Sequence, residues 1–306
     1  MDTSFAVRRL PTNPIIVPAM LQGRDGDNIN GPSLIRVPDW VPNPLGRYYL
    51  YFAHHHGDYI RLAYADDLRG PWTVHQKGSL RLKDAPGAKG HIASPDVHVD
   101  EQRKQIRMYF HAPSKKSGRQ MSFVATSANG LDFIAAEEEL GIFYFRVFPH
   151  GEQWYAMAKG GALYRSKDGL TAFQPGGNPF PTIPNQDPDH NQPGSVRHTA
   201  LHPRGDTLDV YYTRIGDAPE SILRSRIDLK RDWTEWKASE PTLVLRPERE
   251  WEGRDLPMQP SKAGASRGRE HALRDPALFT EAGRVYLVYS TAGESGLALA
   301  EIQETP

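Results

Sequence analysis

The chain contains no cysteine. That excludes disulfides, thiolate metal sites and cysteine nucleophiles, so cross-linking and chemistry fall to other side chains. It also lacks net charge, because 37 Lys and Arg balance 37 Asp and Glu. No global field therefore draws it to nucleic acid or to an anionic membrane. Its longest lysine run, Lys115-Lys116, is too short for a nucleic-acid patch. No window approaches the length of a membrane span. The opening Met1-Asp-Thr-Ser-Phe-Ala-Val-Arg-Arg9 has no apolar core of a signal peptide, which gives the expectation of a soluble, cytoplasmic protein. The Gly-x-Ser-x-Gly elbow, the phosphate loop and the dinucleotide fingerprint are all missing.

What is present is turn-forming. The 306 residues include 27 Gly and 26 Pro, which argues against long helices. Apolar residues recur with period two, the period of strands. One layout repeats: a polar leader beside a short strand, a turn, then an aromatic strand. Gly31-Pro-Ser-Leu-Ile-Arg-Val37 leads to Tyr48-Tyr-Leu-Tyr-Phe-Ala-His54. His91-Ile-Ala-Ser-Pro-Asp-Val-His-Val-Asp100 leads to Ile106-Arg-Met-Tyr-Phe-His111. Arg274-Asp-Pro-Ala-Leu-Phe279 leads to Val285-Tyr-Leu-Val-Tyr-Ser290. Two weaker copies lie between. The pattern predicts an all-β, five-bladed β-propeller in a single domain spanning 1–306. Its blades fall at about 31–80, 91–135, 141–175, 195–240 and 270–303. Residues 1–30 supply a closing strand, placed at Asn13–Val17, and a loop. The Pro- and Gly-rich stretches 175–194 and 245–268 are expected to overhang one face. A β-sandwich is the rival architecture.

The segments Ser94-Pro-Asp-Val97, Arg274-Asp-Pro-Ala277 and Tyr48-Tyr-Leu-Tyr-Phe52, the last followed by Ile60–Leu68 and Trp72, resemble the five-bladed propeller glycoside hydrolases, family 43 and its relatives. The resemblance covers about residues 28–303. It implies a general base Asp inside an Asp-Pro pair on the first blade, where the matching position is Asn30. It implies a second Asp on the second blade, matched by Asp96. It implies a general acid Glu on the fourth blade, where Ser195-Val-Arg-His-Thr199 has none.

If the polar leaders converge on one axis, the site forms there. Glycoside hydrolysis needs a proton donor and a base or nucleophile, and the carboxylates near that axis are Asp96, Asp275 and Glu270. Asp275 also fits a turn role, since Asp-Pro opens turns. Histidines cluster at His54-His55-His56, His91, His111, His198 and His271, and His198 joins Asp96, Asp275 and Glu270 as a catalytic candidate. Asn30, His55, His111, Arg146, Arg197 and Arg274 are the expected substrate-binding residues, with Arg214 also near. Forked guanidinium donors suit a carboxylate or sulfate on a sugar. Tyr144, Trp40 and Trp251 are candidates to stack on sugar faces. No cofactor is expected. A divalent metal on the axis is conceivable chemically, although no compact His-x-x-x-His spacing exists.

The leading expectation is hydrolysis of a small oligosaccharide or glycoside, with a carbohydrate as the partner. A uronate lyase with a His or Tyr base and an Arg, and a non-catalytic glycan-binding propeller, are the alternatives. Nothing in the residues specifies an oligomer.

Overall fold

A computed structural model describes residues 5–183, 187 and 189–304, the side chain of Glu304 excepted. Among them lie five antiparallel sheets, each built from strands consecutive in the chain except the last. The inner strands are Asn30–Arg36, Ala93–Asp100, Arg146–His150, Val196–Arg204 and Arg274–Glu281. The second strands are Tyr48–Ala53, Gln105–Pro113, Gln153–Met157, Thr207–Arg214 and Arg284–Ser290. The protein is a five-bladed β-propeller, and none of its described helices is long and apolar enough to cross a membrane.

The period-two reading finds the strands but understates their burial. Tyr48–Ala53 is buried at every position. The reason is that blades pack face to face, so a middle strand has no solvated side. The core is accordingly five wedges, one at each blade junction. Tyrosines of the second strands tie neighbours together at the lower rim: Tyr51 Oη donates to Gly130 O at 2.8 Å, and Tyr109 Oη to Gly169 O at 2.5 Å.

Blade V is completed from the other end of the chain. Phe5–Arg9, not Asn13–Val17, pairs with Leu297–Glu304 and closes the ring. Ile15 and Ile16 give Asn13–Val17 the apolar look of a strand. They serve instead as core of the blade V–I junction, with only an isolated bridge from Ile16 to Leu297.

Four inner strands carry a register shift at the same place: Asn30/Ser33, Ala93/Asp96, Val196/Thr199 and Arg274/Ala277. A bulge inserts an unpaired residue and re-aims its side chain. The residues so placed include Gly31 (φ 56°), Ser94 (φ 50°) and Asp275 (φ 49°); Tyr144 (φ 70°) precedes the inner strand of blade III. The strands thus turn their leaders inward before pairing resumes.

Candidate active site

The leaders meet. A Cβ on Gly31 would lie 2.9 Å from Ser94 Cα, so blades I and II touch at these positions. Ser94 Oγ is 3.4 Å from His198 Nε2 of blade IV. His198 Nδ1 contacts Asp275 Oδ1 of blade V. The other carboxylate oxygen of Asp275 accepts from Ser290 Oγ at 3.2 Å and from the Gly31 backbone N–H at 3.4 Å, which returns to blade I. Tyr144 of blade III covers His198, with ring centroids 3.7 Å apart, and touches His111 at 4.7 Å. All five blades therefore contribute to one closed ring, blade I through the backbone of Gly31 and the others through side chains.

The register also corrects a position. Asn30 pairs with Ala53 just as Arg274 pairs with Ser290, so the residue equivalent to Asp275 is Gly31, not Asn30. Blade I carries Gly-Pro where blade V carries Asp-Pro, and the Asp275 carboxylate reaches across to the Gly31 amide. Asn30 is buried beside it, donating through Nδ2 to Asn28 Oδ1 at 3.0 Å and to Glu294 Oε2 at 3.2 Å. Its Oδ1 has no partner among the described residues.

Around the ring stands a second tier of charge. Arg274 donates to Glu220 at 3.0 Å, Glu270 at 2.6 Å and Glu294 at 3.3 Å. Arg197 forks onto Glu220 at 2.7 and 3.2 Å. Two buried guanidinium groups thus face three glutamates, and of these only Glu270 has an exposed side chain, at 38%. His55 lies 3.7 Å from Glu294, and His56, His91 and His111 follow in edge contacts of 5.9 and 5.8 Å around the mouth.

Electrostatics assign states. Burial raises the Asp275 carboxyl, but His198, Arg197 and Arg274 outweigh it and hold the group well below the usual carboxylate range. Glu294 follows the same balance, with His55 and Arg274 opposing its burial, and falls to about 2. Burial pushes His198 below an ordinary imidazole while Asp275 pulls it back up. Burial pushes His111 well down and His91 to about 4, so both rings are neutral near pH 7.

Asp96 occupies a different place. Its Oδ2 accepts from the Val147 N–H at 2.9 Å and sits 2.8 Å from His98 Nε2; Oδ1 is 3.9 Å from Arg146. Ser33 does the same one blade earlier, accepting from Val97 N–H at 2.9 Å. Arg146 spans the channel below the ring, donating to Thr199 O at 3.0 Å and Pro95 O at 2.7 Å. Trp40 lies in the turn between the first two strands of blade I, at the end opposite the ring, bonded to Glu101. Trp251 packs on the blade IV–V wedge. Neither reaches the axis. Arg214 pairs with Asp217 at 3.1 Å on the same upper face. Among the described residues, no three His, Asp or Glu side chains form a metal-binding group.

Three residues of the site escaped the sequence reading: Glu220, Glu294 and Lys159. Each lies in a turn between the second and third strands of its blade. Antiparallel geometry puts those turns at the end where the inner strands begin, so polar residues after each aromatic strand were the available signal. Lys159 is buried, bonded to Asn191 Oδ1 at 3.2 Å, and pushed down to about 8 mainly by burial. The described residues of the connections 175–194 and 245–268 also lie at this end. Lys262 O and Gly264 O accept from Arg197, at 2.6 and 3.3 Å, so the second connection is pinned over the charged tier. Between it and Arg274 opens a cavity of about 480 Å³, lined by Glu270, His271 and Lys262.

No family model matches the chain. The chain is similar to "Uncharacterized protein R118" of Acanthamoeba polyphaga mimivirus, at 40% identity over 321 residues spanning 97% of this chain and 90% of that protein. The chain belongs to the family of that mimivirus protein. Solved structures share its fold at low identity. A family-43 β-xylosidase/α-arabinofuranosidase from a compost metagenome, solved with xylotriose, matches at TM-score 0.63 and 15% identity over 99% of this chain and 94% of that one. A thermostable family-43 glycoside hydrolase matches at 0.62 and 12% over 98% and 97%. The α-L-arabinanase of Cellvibrio cellulosa, complexed with arabinohexaose, matches at 0.56 and 13% over 89% and 90%. The chain thus has the five-bladed fold seen in family-43 glycoside hydrolases.

Proposed function

We propose that the protein is a glycoside hydrolase acting on a small oligosaccharide or glycoside at the mouth of the axial ring. The observation that carries this reading is the His198–Asp275 pair, set on the axis by bulges from two blades and surrounded by glutamates on the same face. Support comes from the fold, which is shared with enzymes of that class. His198 is the proton-transferring group. Its imidazolium is a stronger acid than a free histidine, and Asp275 orients the ring and stabilises its charged form. Glu270 is the accessible carboxylate and acts as base or nucleophile from the cavity wall. Asp275 is a positioning residue. The carboxylate of Asp96 is committed to the junction of blades II and III, where it neutralises Arg146.

The test is release of reducing sugar from a panel of aryl and short oligosaccharide glycosides. His198→Gln and Glu270→Gln should each lower kcat about 100-fold or more. Asp275→Asn removes a charge that raises the His198 pKa, so the pH profile should also move to lower pH. Full turnover in Asp275→Asn, with an unmoved profile, rejects the assignment. Asp96→Asn keeps an acceptor for the Val147 N–H and is expected to retain most activity; a loss as large as that of His198→Gln would return Asp96 to the chemistry.

A further inference from the structure

The glycosidase reading leaves Ser94 unused, yet its hydroxyl faces the free nitrogen of the catalytic imidazole. Ser94 Oγ stands 3.4 Å from His198 Nε2, and His198 Nδ1 contacts Asp275. Asp275 is itself fixed by Ser290 Oγ and the Gly31 N–H. The order is hydroxyl, imidazole, carboxylate: Ser94 Oγ lies at 3.4 Å from one ring nitrogen and Asp275 against the other. Such a constellation is recognised by geometry and roles, not by chain position or fold. Ser94 also sits at φ 50° on a bulge, a position that lifts its side chain out of the regular strand pairing. Gly31 packs against Ser94 Cα, so the blade I backbone holds that bulge in place.

We infer that Ser94, His198 and Asp275 form an acyl-transfer triad that hydrolyses an ester, such as an acyl group carried on a sugar hydroxyl. Ser94 Oγ attacks the ester carbonyl carbon and its proton passes to His198 Nε2. The carbonyl–alkoxy bond breaks, the imidazolium returns that proton to the departing alcohol, and Ser94 is left acylated. Water, giving a proton to His198, then attacks the acyl carbon; the acyl–Oγ bond breaks, the imidazolium returns that proton to Ser94 Oγ, and the acid departs. Pro95 follows Ser94 and has no N–H, so the usual oxyanion donor after the nucleophile is absent. Arg146 takes that role: Nη1 is 2.7 Å from Pro95 O, and Nη2 has no partner among the described residues. A charged donor in a buried site suits a developing oxyanion. This activity shares His198 and Asp275 with the glycosidase reading but does not depend on it.

The experiment is covalent labelling of the full chain with a fluorophosphonate, read by peptide mass spectrometry, beside hydrolysis of 4-nitrophenyl acetate. One label should land on Ser94, and His198→Gln should cut labelling and ester turnover about 100-fold. Because the chain has no cysteine, Ser94→Cys provides a single thiol that iodoacetamide reads without interference. Its alkylation should be fast near neutral pH and slowed when His198→Gln is added, with circular dichroism confirming that both variants fold. A label elsewhere, no label, or thiol alkylation indifferent to His198 overturns the triad. Sugar release is scored separately: labelling without it sinks only the glycosidase reading, and sugar release without labelling sinks only the triad.

Discussion

His91 and Glu294 show how single residues set the acid limit of the protein. His91 is held near pKa 4 by burial, with His55 and His56 adding to the effect, against 6.5 for an ordinary imidazole. As pH falls from 6.5 toward 4, the unfolded chain takes up a proton that the native state refuses, and stability drops. Glu294 is depressed to about 2 from 4.5, because His55 and Arg274 outweigh its burial. Its stabilisation is present above pH 4.5 and is lost as pH falls toward 2. Urea midpoints measured from pH 7 to 2 should therefore fall in two stages. His91→Gln should make the upper stage shallower and Glu294→Gln the lower, the remaining fall coming from other buried histidines such as His111 and carboxylates such as Asp275. If either variant keeps the wild-type slope in its own window, that residue is not the origin.

At the scale of the element, the bulge does most to build the site. Gly31 needs both its backbone conformation, φ 56°, and its missing Cβ, since one would approach Ser94 Cα to 2.9 Å. Gly205 offers a control: φ 57° with open space around it. Gly205→Ala should lose only the left-handed term, about 1–2 kcal/mol. Gly31→Ala should lose more in denaturant titration, and should also move Ser94 off His198 and lower activity. Equal losses at both sites would show that the contact with Ser94 carries no strain. The inner-strand leaders were legible because a polar residue beside Pro stands out against an apolar run. Asp275 stands out that way, whereas His198 stands out because histidines recur at the starts and ends of the inner blade strands. The bulge itself was not legible. It shifts pairing by one residue without altering composition, so Asn30 was matched where Gly31 belongs. Glu220 and Glu294 were hidden because they lie in turns with no periodic signal, and their importance comes only from Arg197 and Arg274 arriving from inner strands.

For the whole molecule, the decisive step is sealing the ring with a strand from the far end of the chain. Phe5–Arg9 contributes backbone pairing and one buried ionic contact. Arg9 donates to both oxygens of Glu252, at 2.7 and 2.9 Å, and Glu252 also accepts from Tyr289 Oη at 2.9 Å. The Glu252 side chain is fully buried. Arg9→Ala leaves that carboxylate without its cation, and breaking a buried pair from one side costs about 3 kcal/mol. The damage falls on the closure, because Glu252 lies on the connection that also covers the active face, between the outer strand of blade IV and the inner strand of blade V. The expected result is earlier thermal unfolding and faster proteolytic release of the first strand. Release of that strand uncovers the edge of Leu297–Glu304, so self-association should follow. Arg9→Met with Glu252→Leu removes both charges together and should recover most of the loss. If the single variant unfolds and is cleaved like the wild type, Arg9 contributes packing alone and the ring is held by strand pairing.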